Sequence, residues 1–306
     1  MTSISTSTAA FYDRSTTDIA TLRKRAETLQ QQIGGGSKLS RSSDDPVAAS
    51  RLRMLQRSDS LSKIDDTNAG RADADLTLAN SALTTFTDYI ARAKDLATTA
   101  ATGTLTTEQR AGIGYELEQL YGNLVSLANS RDSNGHSLFG GEAPGDAYTL
   151  DASGNATYVG TASSGELALG DGQSITRGLT GPEFLDFDLN GSPTNLLAVV
   201  KGLADTLQTG TGDRQKAASD GIASLAKGLD AVTTGLTVVG SRLNWVDLTG
   251  DRRTNLGELR ADEEDKVGGI DLATSISELQ QTMTVLEASQ ASFSKLSGLS
   301  LFNLLN

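Results

Sequence analysis

The chain contains no cysteine, one histidine and four prolines in 306 residues. Without thiols there is no disulfide and no thiolate chemistry, in whichever compartment the protein works. With one imidazole, His136, a multi-histidine metal site is excluded, and its setting in Ser133-Asn-Gly-His-Ser-Leu-Phe-Gly-Gly141 marks it as a polar turn residue. Positive charge is short as well. Twenty-six Lys and Arg stand against 38 Asp and Glu, a net charge of −12, so the bulk field repels phosphate backbones and anionic lipid. Neither nucleic acid nor membrane is expected as a partner. No apolar run approaches the roughly 20 residues of a membrane-spanning helix, and the first residues have neither a basic nor an apolar segment of the kind a cleaved signal peptide needs. Chemistry is equally sparse. Gly34-Gly-Gly36 is not followed by the Gly-Lys-Ser/Thr of a phosphate loop, and Asp44-Asp45 stands directly before Pro46, where carboxylates cap a helix rather than form an acid pair. No catalytic residue, metal ligand or cofactor site is expected, and the chain is read as a non-enzyme.

What is present is apolar periodicity, concentrated at the two ends. Ile19, Leu22, Ala26, Leu29 and Ile33 step by threes and fours, and so do Leu272, Ile276, Leu279, Met283 and Leu286, with Phe293 one heptad further on. Each is a narrow seam that requires a covering helix. The two ends therefore either fold back on one another or recruit further copies, and both sets of residues are candidate assembly contacts.

Between the ends the pattern is again helical. Ser42-Ser-Asp-Asp-Pro46 is a helix start, and no proline follows before about Ala101. Leu55, Ser62, Ala69, Leu76, Leu83, Ile90 and Ala97 share one face of that stretch, while Asp59 to Asp75 is polar enough to predict small-residue packing or a local break. Thr106-Thr-Glu108 opens the next helix, with Ile113, Leu117, Leu120, Leu124 and Leu127 on its seam. A Gly-, Asp-, Ser- and Thr-rich stretch follows to about Pro193, holding four β-prone pieces at 147–150, 156–159, 165–169 and 173–176. It reads as a small β domain whose span Gly141 to Pro193 a short linker could replace. Helix returns at Thr194 with Leu196, Val200, Leu203 and Leu207. The longest seam then runs Ile222, Leu225, Leu229, Val232, Leu236, Val239, Leu243 and Val246, with Trp245 expected buried beside it. Its antiparallel partner is expected to be the seam at Ile113 to Leu127. The charged stretch from Gly250 to Lys266 reads as a solvated helical face.

The expected fold is mainly α: an elongated antiparallel helical rod with coiled-coil termini and a β insert. Its expected domains are 1–40 with 271–306 as a terminal coiled coil, 41–139 with 194–270 as the rod, and 140–193 as the insert.

Several motifs follow one another in the order of a known family. They are Ser43-Asp-Asp-Pro-Val-Ala-Ala49, Ile90-Ala-Arg-Ala-Lys-Asp-Leu-Ala97, Gly135-His-Ser-Leu-Phe-Gly-Gly141, Leu179-Thr-Gly-Pro-Glu-Phe184, Gly240-Ser-Arg-Leu-Asn244 and Ser294-Lys-Leu-Ser-Gly-Leu-Ser-Leu-Phe302. Together they resemble the flagellin superfamily. Ser43, Asp44, Asp45 and Pro46 resemble the hook-filament junction branch, flagellar hook-associated protein 3, more than filament flagellin. Leu299, Ser300, Leu301 and Phe302 are similar to that family's C-terminal signature. The resemblance implies a structural subunit that joins the hook-associated tier to the filament through its terminal helices, leaving by flagellar type III export to the extracellular flagellum. It implies as partners further copies of the chain in a ring or helical tier, another hook-associated protein, flagellin and a flagellar export chaperone. Alternatives are a short filament flagellin, or a surface adhesin or glycan-binding protein that uses the insert.

Overall fold

The computed structural model describes residues 2–210 and 212–303, with side chains described for 10–210 and 212–296. The order of elements is α1 (Thr2–Gly35), α2 (Pro46–Ala100), α3 (Thr107–Ala128), β1 (Tyr148–Leu150), β2 (Ala156–Tyr158), β3 (Glu166–Gly170), β4 (Gln173–Thr176), α4 (Gly181–Leu185), β5 (Asp186–Leu189), β6 (Ser192–Asn195), α5 (Leu196–Thr209), α6 (Arg214–Gly268) and α7 (Leu272–Asn303). The described residues form a helical fold with three antiparallel two-stranded sheets, β1–β2, β3–β4 and β5–β6. The mainly α class expected from the sequence is borne out. The chain divides into two compact units, one of residues 1–60 with 255–306 and one of residues 61–254.

In the second unit the seams meet as a shared core. Leu76, Leu83, Phe86 and Ile90 of α2, Leu117 and Leu124 of α3, and Leu225, Val232, Val239 and Val246 of α6 are buried together. The loop and hairpin region adds Phe139, Leu169, Ile175, Leu179, Phe184 and Leu185 to the same cluster. Three phenyl rings lie at its centre, with centroids 4.8 Å apart for Phe139–Phe184, 5.4 Å for Phe86–Phe184 and 6.4 Å for Phe86–Phe139. The expectation that Gly141 to Pro193 is a removable insert is corrected here, because Phe184 and its neighbours fill the helical core.

Two further corrections follow from packing. The helix against α3 is α5, not α6, and it runs antiparallel to α3, with Gly114 beside Ala204 and Gln208 and Glu118 within 3.6 Å of Lys201. Gly114 permits that approach, since a Cβ there would lie 2.8 Å from Gln208 Cγ and 2.9 Å from the Ala204 carbonyl oxygen. Trp245 is 40% exposed rather than buried, because its neighbour Val246 takes the core position.

The polar middle of α2 forms no break. Ala69 and Ala72 pack into the core there, and Asp66 accepts from Arg253 Nε at 2.7 Å. In the other unit Asp59 accepts from Arg260 Nε at 2.6 Å, and Arg51 grips Glu263 with two N–H groups. The charged stretch at 250–266 is therefore partly an ion-pairing face, with Arg253 and Arg260 largely out of solvent. The β3–β4 hairpin is held against the helices of its own unit: Asn68 Nδ2 donates to the Ala168 carbonyl at 3.1 Å and Arg253 to that of Leu169 at 3.2 Å.

Candidate assembly interface

In the first unit the terminal helices fold back on each other. α1 and α7 pair antiparallel: the Tyr12 ring meets that of Phe293 edge-on at 5.5 Å, Arg25 lies 3.5 Å from Glu278, and Ser37 forms an isolated β-bridge with Gly269. On α1 the inward residues are Tyr12, Ser15, Ile19, Leu22, Ala26, Leu29 and Ile33, with Ala26 and Leu29 most buried. This is the seam expected from the sequence, extended by one heptad to Tyr12.

On α7 the seam divides. Leu279 and Leu286 are half-buried with Phe293, and between them Thr282 is 7% exposed. Leu272, Ile276 and Met283 stay 51%, 45% and 42% exposed along one flank. The expected single stripe is therefore two: an inner one used by α1 and an outer one without a partner among the described residues. The opposite flank carries Val285 and Leu296, and with Phe11 and Phe293 they border a groove of about 350 Å³ between the helices. Phe11, Val285 and Leu296 went unread in the sequence. Tyr12 could have been found, since it lies seven residues before Ile19. Leu299, Ser300, Leu301 and Phe302 lie in α7 outside the described side chains.

The loops that position this pair are tied down by carboxylates and backbone. Asp44 Oδ2 accepts from the backbone N–H of Ser40 at 3.0 Å and Arg41 at 2.7 Å, closing the loop before α2. Asp45 Oδ1 accepts from Val47 at 3.0 Å and Ala48 at 2.9 Å, which caps α2, and Pro46 is its first residue. Ser43 stands exposed in the turn. At the other loop Asp271 caps α7 by accepting from Ala273 at 3.0 Å and Thr274 at 3.2 Å. The Thr274 hydroxyl and these backbone donors hold its carboxyl below the ordinary aspartate range. The two loops are joined by Lys38, whose backbone N–H donates to the Gly268 carbonyl and whose Nζ donates to that of Lys266, both at 2.9 Å. The Asp-Asp-Pro motif thus acts through hydrogen bonds that fix where the terminal helix pair leaves α2.

This arrangement offers apolar surfaces along the terminal helix pair. Among the described residues no group of three or more His, Asp or Glu is placed to hold a metal ion. The polar cluster that the sequence did not disclose is Arg177, which donates to Asp75 Oδ2 at 2.7 Å and Asp132 Oδ2 at 3.0 Å, with His136 Nδ1 3.5 Å from Asp132. It ties α2, the turn after α3 and the strand region together.

Residues 4–143 match the bacterial flagellin N-terminal helical region. Flagellar hook-associated protein 3 of Escherichia coli (strain K12) is 27% identical over 318 residues, covering 97% of this chain and 98% of that protein. The protein of the same name from Salmonella typhimurium (strain LT2) is 26% identical over 315 residues, with 97% and 98% covered. Among solved structures, flagellar hook-associated protein-3 of Legionella pneumophila superposes with a TM-score of 0.63 at 15% identity, covering 71% of this chain and 98% of that one. That last likeness is one of fold.

Proposed function

We propose that this flagellin-superfamily chain is a structural subunit of the bacterial flagellum, joining the hook-associated tier to the flagellin filament by assembling through its terminal helices. The observation that carries the reading is the outer stripe of α7. Leu272, Ile276 and Met283 remain exposed after α1 has covered the inner stripe, in a chain alike over nearly its whole length to hook-associated proteins. A row of apolar side chains on a helix is a binding face for another helix. Its occupants are neighbouring copies of the chain, and above and below them flagellin and another hook-associated protein. Before assembly, an export chaperone covers it. Export as an unfolded chain through the flagellar type III apparatus suits a sequence with no disulfide to break.

The test is the double variant Leu272→Asp, Ile276→Asp in a strain lacking the gene. Both positions are exposed, so the purified variant should keep its helical content and melting temperature. Cells carrying it should bear bare hooks and release flagellin into the medium. Normal filaments on cells shown to export the variant would overturn the reading. Thousands of copies per flagellum instead of a few would indicate filament flagellin.

A further inference from the structure

We infer that Met283 is an oxidation-sensitive modification site whose conversion to the sulfoxide blocks assembly of the free subunit and whose burial in the assembled flagellum protects it. This rests on the reading of the outer α7 stripe as an assembly face. With no cysteine in the chain, the sulfur is confined to Met1, Met54 and Met283, so no thiol competes for an oxidant. Met283 is 42% exposed in the middle of α7, one heptad after Ile276, on the flank that α1 leaves uncovered. Met54 is 59% exposed on α2, outside the terminal helices, and provides an internal control.

The oxidant is hydrogen peroxide. A lone pair of the thioether attacks one peroxide oxygen, the S–O bond forms as the O–O bond breaks, and the second oxygen leaves as water after proton transfer. Sulfur is oxidised by two electrons and the peroxide is reduced by two. The product is a polar, hydrogen-bond-accepting sulfoxide in place of a flexible apolar side chain. Packed between apolar side chains without a donor, that oxygen would be desolvated and unpaired, which opposes closure of the interface.

The experiment exposes purified full-length chain and isolated flagella to dilute peroxide and follows each methionine by peptide mass spectrometry. In the free chain Met54 and Met283 should both oxidise; in flagella Met283 should be slowed about tenfold or more while Met54 stays reactive, as expected where only one of the two loses solvent. Cells producing Met283→Gln, a polar stand-in for the sulfoxide, should carry bare hooks, and those producing Met283→Leu or Met54→Gln should carry filaments. Circular dichroism of each variant separates this from unfolding. Equal oxidation of Met283 in free chain and flagella would overturn the assembly face itself. Protection of Met283 in flagella together with normal filaments on Met283→Gln cells would overturn the oxidation proposal alone, as would a free chain in which Met283 resists peroxide.

Discussion

Arg177 shows how much a single residue can hold together and how little of that shows in a sequence. Its guanidinium reaches Asp75 and Asp132, positions 102 and 45 residues away, and no spacing rule connects them. Burial pushes the Asp132 carboxyl up, but backbone N–H groups of His136 and Asn134 donating to Oδ1 outweigh it and leave the group below the ordinary aspartate range. A folded state that binds its proton more weakly than the unfolded chain gains stability above the unfolded value and loses it as pH falls through the folded value. The melting temperature of the wild type should therefore hold from neutral pH into mild acid and drop below about pH 4, where aspartate protonates. Asp132→Asn should melt lower at neutral pH, by roughly 2 kcal/mol in stability because Arg177 retains partial access to water. It should also show a shallower acid slope. Parallel slopes in thermal melts between pH 7 and 3 would remove Asp132 from the acid response.

At the scale of elements, local rules carried the helices far. α2 begins at Pro46 as its Ser-Asp-Asp-Pro start dictates, and α3 begins after Thr106, whose hydroxyl accepts from Gln109 N–H at 3.2 Å while the Gln109 side chain accepts from Thr106 N–H at 2.8 Å. That reciprocal cap should be worth about 1 kcal/mol, so Thr106→Ala should lower chemical-denaturation stability by that amount without loss of helix elsewhere. The strands expected at four places appear as β1 to β4. The hairpin of β5 and β6 was missed although Asn190-Gly191, with φ of 56° and 83°, is the turn signature for it. The helix expected from Thr194 starts two residues later because Asn195 is its cap, accepting from Leu197 N–H at 2.8 Å. On α7 the heptad positions from Leu272 to Leu286 spread over an arc of about 80°, at 3.6 residues per turn, and α1 covers the side of that arc that carries Leu279 and Leu286. Periodicity located the apolar residues, but only the position of α1 decides which of them stay exposed.

For the whole molecule, the informative property is that the core of one unit and the terminal helix pair of the other respond to different substitutions. In the unit of residues 61–254, Phe184 is fully buried between Phe86 and Phe139, and Phe184→Ala should cost about 3–5 kcal/mol. Composition hid this: the Gly- and Asp-rich stretch looked solvated, whereas Gly141 at φ +69° turns the chain so tightly that a Cβ would lie 2.1 Å from Thr161 Oγ1. That closure lets Phe139 enter the core just before it. In the other unit, Leu279 and Leu286 lie on the stripe that faces α1. Leu279→Asp with Leu286→Asp would put two carboxylates on the half-buried side of α7 that α1 covers, at a cost of several kcal/mol unless they reach water. The pairing of α1 with α7 should open, seen as fast amide exchange before Gly36 and after Asp271, while the melt of the Phe184 core stays where it was. Leu272→Asp with Ile276→Asp should leave that exchange slow and still abolish filaments. Both double variants would lose filaments, then, for reasons that hydrogen exchange tells apart. Fast exchange at both ends in the Leu272/Ile276 variant would show that the outer stripe also holds α1 in place, and assembly would then have to use the groove beside Phe11 instead.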